Sequence, residues 1–329
     1  MMNNRKLGRT GLQVSELCLG TMHFGWRTNE AASWALLDEF RRCGGNFLQA
    51  TGVCPATSAG VAWTARSESH VGDWMRARCI PRNDWVISTR FIVGRPAAGG
   101  RIRFADEIRQ ACEASLRRLR TSHIDLLVLQ WNQALLPIAD VLEALDDLVR
   151  AGMVRYVGAA GFPAWRLMEA LAFVARRNHC RMETAQADYS LLRCGVAETD
   201  LLDLCREHRL GFLPSSPLAG GLLAGLGGLS VGFSRAREQR FERTLAEPGH
   251  RERLELLATL AAERGAAPAQ MALAWLLADP AVTSPIVGVA TSEHLRDLAA
   301  ATRITLSADE RSALAGAFPL VESTFATAP

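Results

Sequence analysis

The sequence carries almost no excess charge: 37 basic residues stand against 34 acidic ones, a formal net charge of +3 over 329 residues. That balance supplies no strong pull toward nucleic acid or an anionic membrane surface, so neither is expected as a partner. No apolar run follows the polar and basic start at 1–12, and no secretory leader is expected there. No C-x-x-C pair occurs among the eight cysteines at 18, 43, 54, 79, 112, 180, 194 and 205. Their scatter argues against a disulfide framework or a structural zinc site and for reduced thiols in a cytoplasmic protein. The nearest metal-like spacing, Cys205 and His208, lacks further ligands, so no metal is expected. A stretch of 25 residues without charge, 210–234, is interrupted by Pro214, Pro217 and seven glycines, which suits a strand and loop rather than a membrane-spanning helix. A composition break is also missing, and one domain over 1–329 is the expectation.

Within that bland frame, 49% hydrophobic and 22% charged residues are ample for a large core and argue against disorder. Short apolar runs at 16–21, 46–50, 85–90, 124–130, 154–159, 184–187, 211–214 and 282–287 read as strands covered on both faces. Between them lie amphipathic stretches at 107–119, 138–150, 164–177 and 199–208. In the second of these, Ile138, Leu142, Leu145 and Leu148 fall on one helical face. Eight such repeats predict an α/β fold, a (β/α)8 TIM barrel. The Gly-rich then Arg-rich excursion from 219 to 248 and the tail from 318 to 329 would lie over a barrel face.

Local wording adds a family resemblance. Arg5-Lys6-Leu7-Gly8-Arg9-Thr10-Gly11-Leu12, Leu19-Gly20-Thr21-Met22, the segment from Ala144 to Gly152, Ser216-Pro217-Leu218-Ala219-Gly220-Gly221-Leu222, and Ser284-Pro285-Ile286 with Gly288 follow one another in the order of an aldo-keto reductase. The chain resembles that family along nearly its whole length. The resemblance implies hydride transfer from a nicotinamide to a carbonyl, with a tyrosine as proton donor, an aspartate and a lysine tuning it, and a histidine orienting the substrate. Such a donor needs its proton made acidic by a nearby cation.

Aligned on these words, Gly52 stands at the aspartate, Cys54 near the tyrosine, Arg90 at the lysine and Gln130 at the histidine. Arg90 cannot titrate as lysine does, and Cys54 is too short to reach a tyrosine's place. The family's cofactor words are altered as well. Ala290, His294 and Leu298 stand where the phosphate cation, glutamine and asparagine are implied, Ala160-Gly161 replaces the carboxamide-binding pair, and Ser215 offers no aromatic face. Gln186, Ser216, Leu218 and Gly288 remain as a vestigial cofactor scaffold. The expectation is therefore no cofactor beyond weak residual NADP(H) binding.

Two readings stand for Arg90: an internal salt bridge, or a partner for an anionic ligand group. His23 is the histidine nearest the expected site and could move a proton, and Asp188 is a second acid candidate that could equally cap a turn. Met22, Phe24, Trp26, Trp131 and Asn132 are expected to line a partly aromatic pocket for a small-molecule substrate. The G-x-S-x-G match at 228–232 lacks the strand and helix that a nucleophile elbow needs. Together these readings lead to the expectation of a barrel enzyme repurposed for non-redox acid–base chemistry (isomerisation, cyclisation or elimination) on a small metabolite, an anionic one if Arg90 faces the ligand. An NAD(P)H-dependent reductase with an altered site and a non-catalytic pseudoenzyme that senses a ligand or binds a partner are the alternatives.

Overall fold

A computed structural model describes residues 1–53, 65–92, 100–130, 137–177, 179–193, 200–224, 235–247 and 249–318. The chain opens with an antiparallel hairpin, β1 (Asn4–Lys6) and β2 (Gln13–Ser15), paired Asn4 to Ser15 and Lys6 to Gln13. Eight parallel strands follow: β3 (Cys18–Gly20), β4 (Phe47–Val53), β5 (Val86–Ile92), β6 (Ile124–Gln130), β7 (Val154–Ala160), β8 (Met182–Asp188), β9 (Gly211–Ser215) and β10 (Ile286–Val287). Their spatial order is β10-β3-β4-β5-β6-β7-β8-β9, and a bridge from Phe212 to Val282 brings β9 beside the approach to β10. The helices are α1 (Glu30–Arg42), α2 (Arg66–Ala77), α3 (Gly100–Leu119), α4 (Ile138–Arg150), α5 (Ala164–Ala175), α6 (Leu202–His208), α7 (Arg235–Ala246), α8 (His250–Glu263), α9 (Pro268–Leu277), α10 (Ser292–Ala300) and α11 (Ala308–Ala317). This is the (β/α)8 barrel that the alternation of short and long apolar patterns predicts.

Strand alternation sorts the core into two layers. Residues such as Leu48, Ile87, Phe91, Leu127, Leu129, Val157, Ala159 and Phe212 pack outward against the helices. Cys18, Phe47, Val86, Leu126, Val128 and Leu213 turn inward and meet Leu7 and Val14 of the hairpin, which fill the end of the lumen where the strands begin. Gly8 has φ +55° there, and a Cβ on it would stand 2.6 Å from the Glu183 carbonyl oxygen and 2.9 Å from the Gly211 nitrogen. Only glycine allows that approach at that φ.

Three details depart from the sequence expectation. The hairpin was not anticipated, because three-residue strands carry too little pattern to read. The last strand is confined to Ile286–Val287, since Pro285 has no N–H to extend the ladder. The excursion after β9 holds a 3-10 segment, Ala219–Ala224, and α7, while 225–234 and the tail beyond 318 lie outside the described residues. Among the described residues no helix is long and apolar enough to cross a membrane.

Candidate active site

The same alternation decides which side chains reach the open end of the barrel. On β5, Val86, Ser88 and Arg90 form the inward set, whereas Thr89 turns outward to donate to the fully buried Glu68 of α2 at 2.5 Å. Arg118 of α3 holds the other oxygen of Glu68 at 2.6 Å, fixing β5 against two helices. On β6, Gln130 ends the inward series Leu126, Val128, Gln130, and its backbone pairs with Ile92 of β5. On β8, Thr184, Gln186 and Asp188 point inward, and Ser215 ends β9 directly opposite Asp188. Arg90, Gln130, Asp188 and Ser215 thus rim one end of the lumen.

Below them lies a layer unlike the apolar one at the hairpin end. Gln49 of β4 donates to Gln186 across the lumen at 2.8 Å, and Gln186 donates back at 3.3 Å, both side chains being buried. The Ser88 and Thr184 hydroxyls are also buried here. Asp188 is organised from β9: its Oδ1 accepts from Ser215 Oγ at 2.7 Å and Ser216 Oγ at 3.2 Å, and Arg193 lies 3.6 Å from Oδ2. Ser216 and Ala219 both adopt φ +51°, backbone that L residues seldom hold and that recurs at functional sites.

Arg90 is partly buried, and its Nε is closed to solvent with no hydrogen-bond partner among the described residues. Burial pulls the guanidinium below its ordinary pKa, and the charge of Asp188 opposes that pull. The side chain nevertheless stays cationic at neutral pH.

The loop after β3 carries the remaining candidates. Its backbone is wound tightly: the amides of Trp26, Arg27 and Thr28 all donate to the His23 carbonyl, at 3.2, 3.0 and 3.1 Å. Arg66 of α2 clasps the turn by donating to the Gly25 carbonyl at 3.0 Å. His23 packs its ring 5.5 Å from that of Trp26, over which the Arg27 guanidinium sits at 4.3 Å. Met22 and Trp26 are exposed, large apolar side chains on this loop.

Two expected positions are corrected by the geometry. Phe24 does not face a pocket; it is 2% exposed within the core between barrel and helices. Gly52 does not face the lumen either. A Cβ on it would point outward, 2.5 Å from the Phe91 ring and 3.0 Å from the Ser115 hydroxyl of α3, so an acid there could not reach the site. Gln49 belongs to the inward set of that strand, which period-two alternation identifies and counting along the motif does not. Cys54, Trp131, Asn132 and the 228–232 motif lie outside the described residues.

The expected cofactor scaffold is spread over three strand ends. Gln186 sits in the lumen, Ser216 and partly buried Leu218 follow β9, and Gly288 follows β10 with nothing within 4 Å of where its Cβ would be. Just beyond Gly288, Thr291 caps α10 by accepting from the His294 amide at 3.2 Å. Among the described residues no three His, Cys, Asp or Glu side chains gather as a metal would require.

Residues 16–317 match the model of the family described as Aldo/keto reductase family. The chain is 36% identical over 319 residues to the uncharacterized oxidoreductase YrpG of Bacillus subtilis, covering 95% of each chain. It is 29% identical over 326 residues to norsolorinic acid reductase B of Aspergillus parasiticus, covering 93% of this chain and 81% of that one. To versiconal hemiacetal acetate reductase of Aspergillus parasiticus it is 27% identical over 345 residues, covering 94% and 95%. These relatives overturn the expectation of a non-redox isomerase, cyclase or lyase that works without a nicotinamide, for they carry the names of oxidoreductases and reductases.

Proposed function

Because the chain belongs to the aldo-keto reductase family, we propose that it is an NAD(P)H-dependent reductase of small carbonyl compounds with an altered set of polar groups at the mouth. The observation that carries this reading is likeness along nearly the whole chain to proteins named as reductases, combined with a lumen that turns from apolar to polar toward its open end. The whole of 1–329 acts as one barrel domain in this reading. Free thiols at Cys18, Cys43, Cys79, Cys112, Cys180 and Cys205 favour the cytoplasm.

The residues fit a nicotinamide dinucleotide. Gly288 leaves room above β10, and the first amides of α10 suit a phosphate. Gln186, Ser216, Leu218 and Gly288 would hold the group, with Gln49 fixing the amide of Gln186. When bound, it supplies the hydride that a carbonyl carbon accepts.

The chain's own side chains do the rest. Arg90, in surroundings poorer in water than bulk solvent, offers fixed N–H donors to the oxygen on which negative charge develops. Gln130 stands on the neighbouring strand end to steer the substrate, and Asp188, which accepts the Ser215 hydroxyl proton, faces Arg90 from β8. His23 is the imidazole given the role of proton delivery in this reading, and Met22 and Trp26 form the outer wall against which an aromatic carbonyl compound would rest.

Titration of the purified protein with NADPH and NADH, followed by nucleotide fluorescence, tests the reading, together with carbonyl-dependent oxidation of the nucleotide. Binding plus turnover of an aromatic aldehyde or ketone is expected. Absence of both would overturn the assignment.

A further inference from the structure

Arg90 differs from several other partly buried arginines. Arg5 meets Glu16 at 3.2 Å, Arg82 meets Asp125 at 2.6 Å, Arg118 meets Glu68 at 2.6 Å, Arg166 meets Glu169 at 2.5 Å and Arg181 meets Glu183 at 2.8 Å. Arg90 forms no ion pair among the described residues, and its Nε has no hydrogen-bond partner there. A guanidinium withdrawn from water without a paired carboxylate is costly, and a fold keeps one where something else completes it.

The acid that faces Arg90 acts only through space. Asp188 raises the guanidinium pKa against the effect of burial, but its oxygens are engaged elsewhere, by Ser215, Ser216 and Arg193. The planar fork of Arg90 is therefore left to a ligand. Its terminal N–H donors suit a carboxylate, and can serve a carboxylate and an adjacent carbonyl oxygen together. Gln130, whose backbone partner Ile92 lies two residues beyond Arg90 on β5, stands at the neighbouring strand end.

Resting on the carbonyl-reductase reading, we propose that Arg90 selects carbonyl substrates that carry a negative charge beside the reacting carbon, a 2-oxo carboxylate being the simplest. The lumen cation then does two things: it anchors the substrate's carboxylate, and it keeps the neighbouring oxygen in reach of donors as charge builds on it. Asp188 sets how strongly it does so, because its own charge competes with the ligand's.

The test compares phenylglyoxylate with its methyl ester, which share the ketone and ring and differ in charge. Wild-type enzyme is expected to prefer the acid by about tenfold to hundredfold in kcat/KM, the range of a charge-assisted hydrogen-bonded pair. Arg90→Gln removes the preference, Arg90→Lys keeps part of it, and Asp188→Asn increases it, which carries the test should the glutamine variant not fold. An enzyme that reduces the ester as well as the acid overturns the inference and leaves the reductase reading intact. If neither compound is reduced, calorimetry with phenylglyoxylate decides. Binding that Arg90→Gln abolishes upholds the anion site and leaves the reductase reading to the nucleotide titration, whereas absence of binding overturns the anion site.

Discussion

At the scale of single residues, the face of a strand matters more than the position in a motif. Arg90 and Gln130 were found by wording and lie on inward sets, because each occupies the parity of its strand that also holds lumen residues. Gly52 was found by the same wording and lies on the other parity, with the Phe91 ring filling the space before it. Gln49 escaped notice because a glutamine within an apolar run looks incidental until its partner Gln186, 137 residues away, is known. The tight fit at Gly52 gives a direct prediction. Gly52→Ala overpacks the interface of β4, β5 and α3 and should cost about 1–3 kcal/mol, measured by urea unfolding. Gly52→Asp should destabilise further, without adding an acid to the lumen or raising activity.

At the scale of elements, long amphipathic helices were legible and short pieces were not. The bounds read for 138–150 and the strand 124–130 coincide with α4 and β6, both rich in periodic apolar residues. The hairpin and β10 could not be read so well, since their strands are three and two residues long and owe their conformation to partners. The last helix offers a pH prediction. Ser307 and Glu310 form a capping box at the start of α11, and Arg264, just after α8, grips Glu310 at 2.5 Å. Hydrogen bonds from Arg264 and from the Ser307 backbone hold the Glu310 carboxyl down to about 2. A carboxyl lowered on folding contributes fully above its unfolded value of about 4.3, and the contribution fades as pH falls from there toward the folded value. Amide exchange protection of α11 should therefore drop between about pH 5 and about pH 2. Glu310→Gln should lower protection at the higher pH and flatten the change.

At the scale of the whole molecule, family and fold were written along nearly the entire chain, while the chemistry was misjudged. Changed residues at familiar positions tell which groups an older mechanism would lack; they do not name a new reaction. The relatives named as reductases carry the correction, and the geometry adds that polar side chains still crowd the open end. A nucleotide that binds only the folded barrel must stabilise it by mass action. At a concentration about 100 times its Kd, NADPH or NADH should raise unfolding free energy by about 2.7 kcal/mol, seen as a concentration-dependent rise in Tm. A Tm that ignores the nucleotide would count against the cofactor assignment.

The hairpin sealing the far end of the barrel has a kinetic consequence. With Leu7 and Val14 filling that end and Gly8 pressed against the strand starts, that end gives no passage among the described residues, and ligands of the lumen would come and go at the other. Two ligands sharing one entrance must queue: whichever seats deeper enters first and leaves last. Turnover should then follow an ordered sequence, with the alcohol departing before the spent nucleotide and the last departure setting the pace.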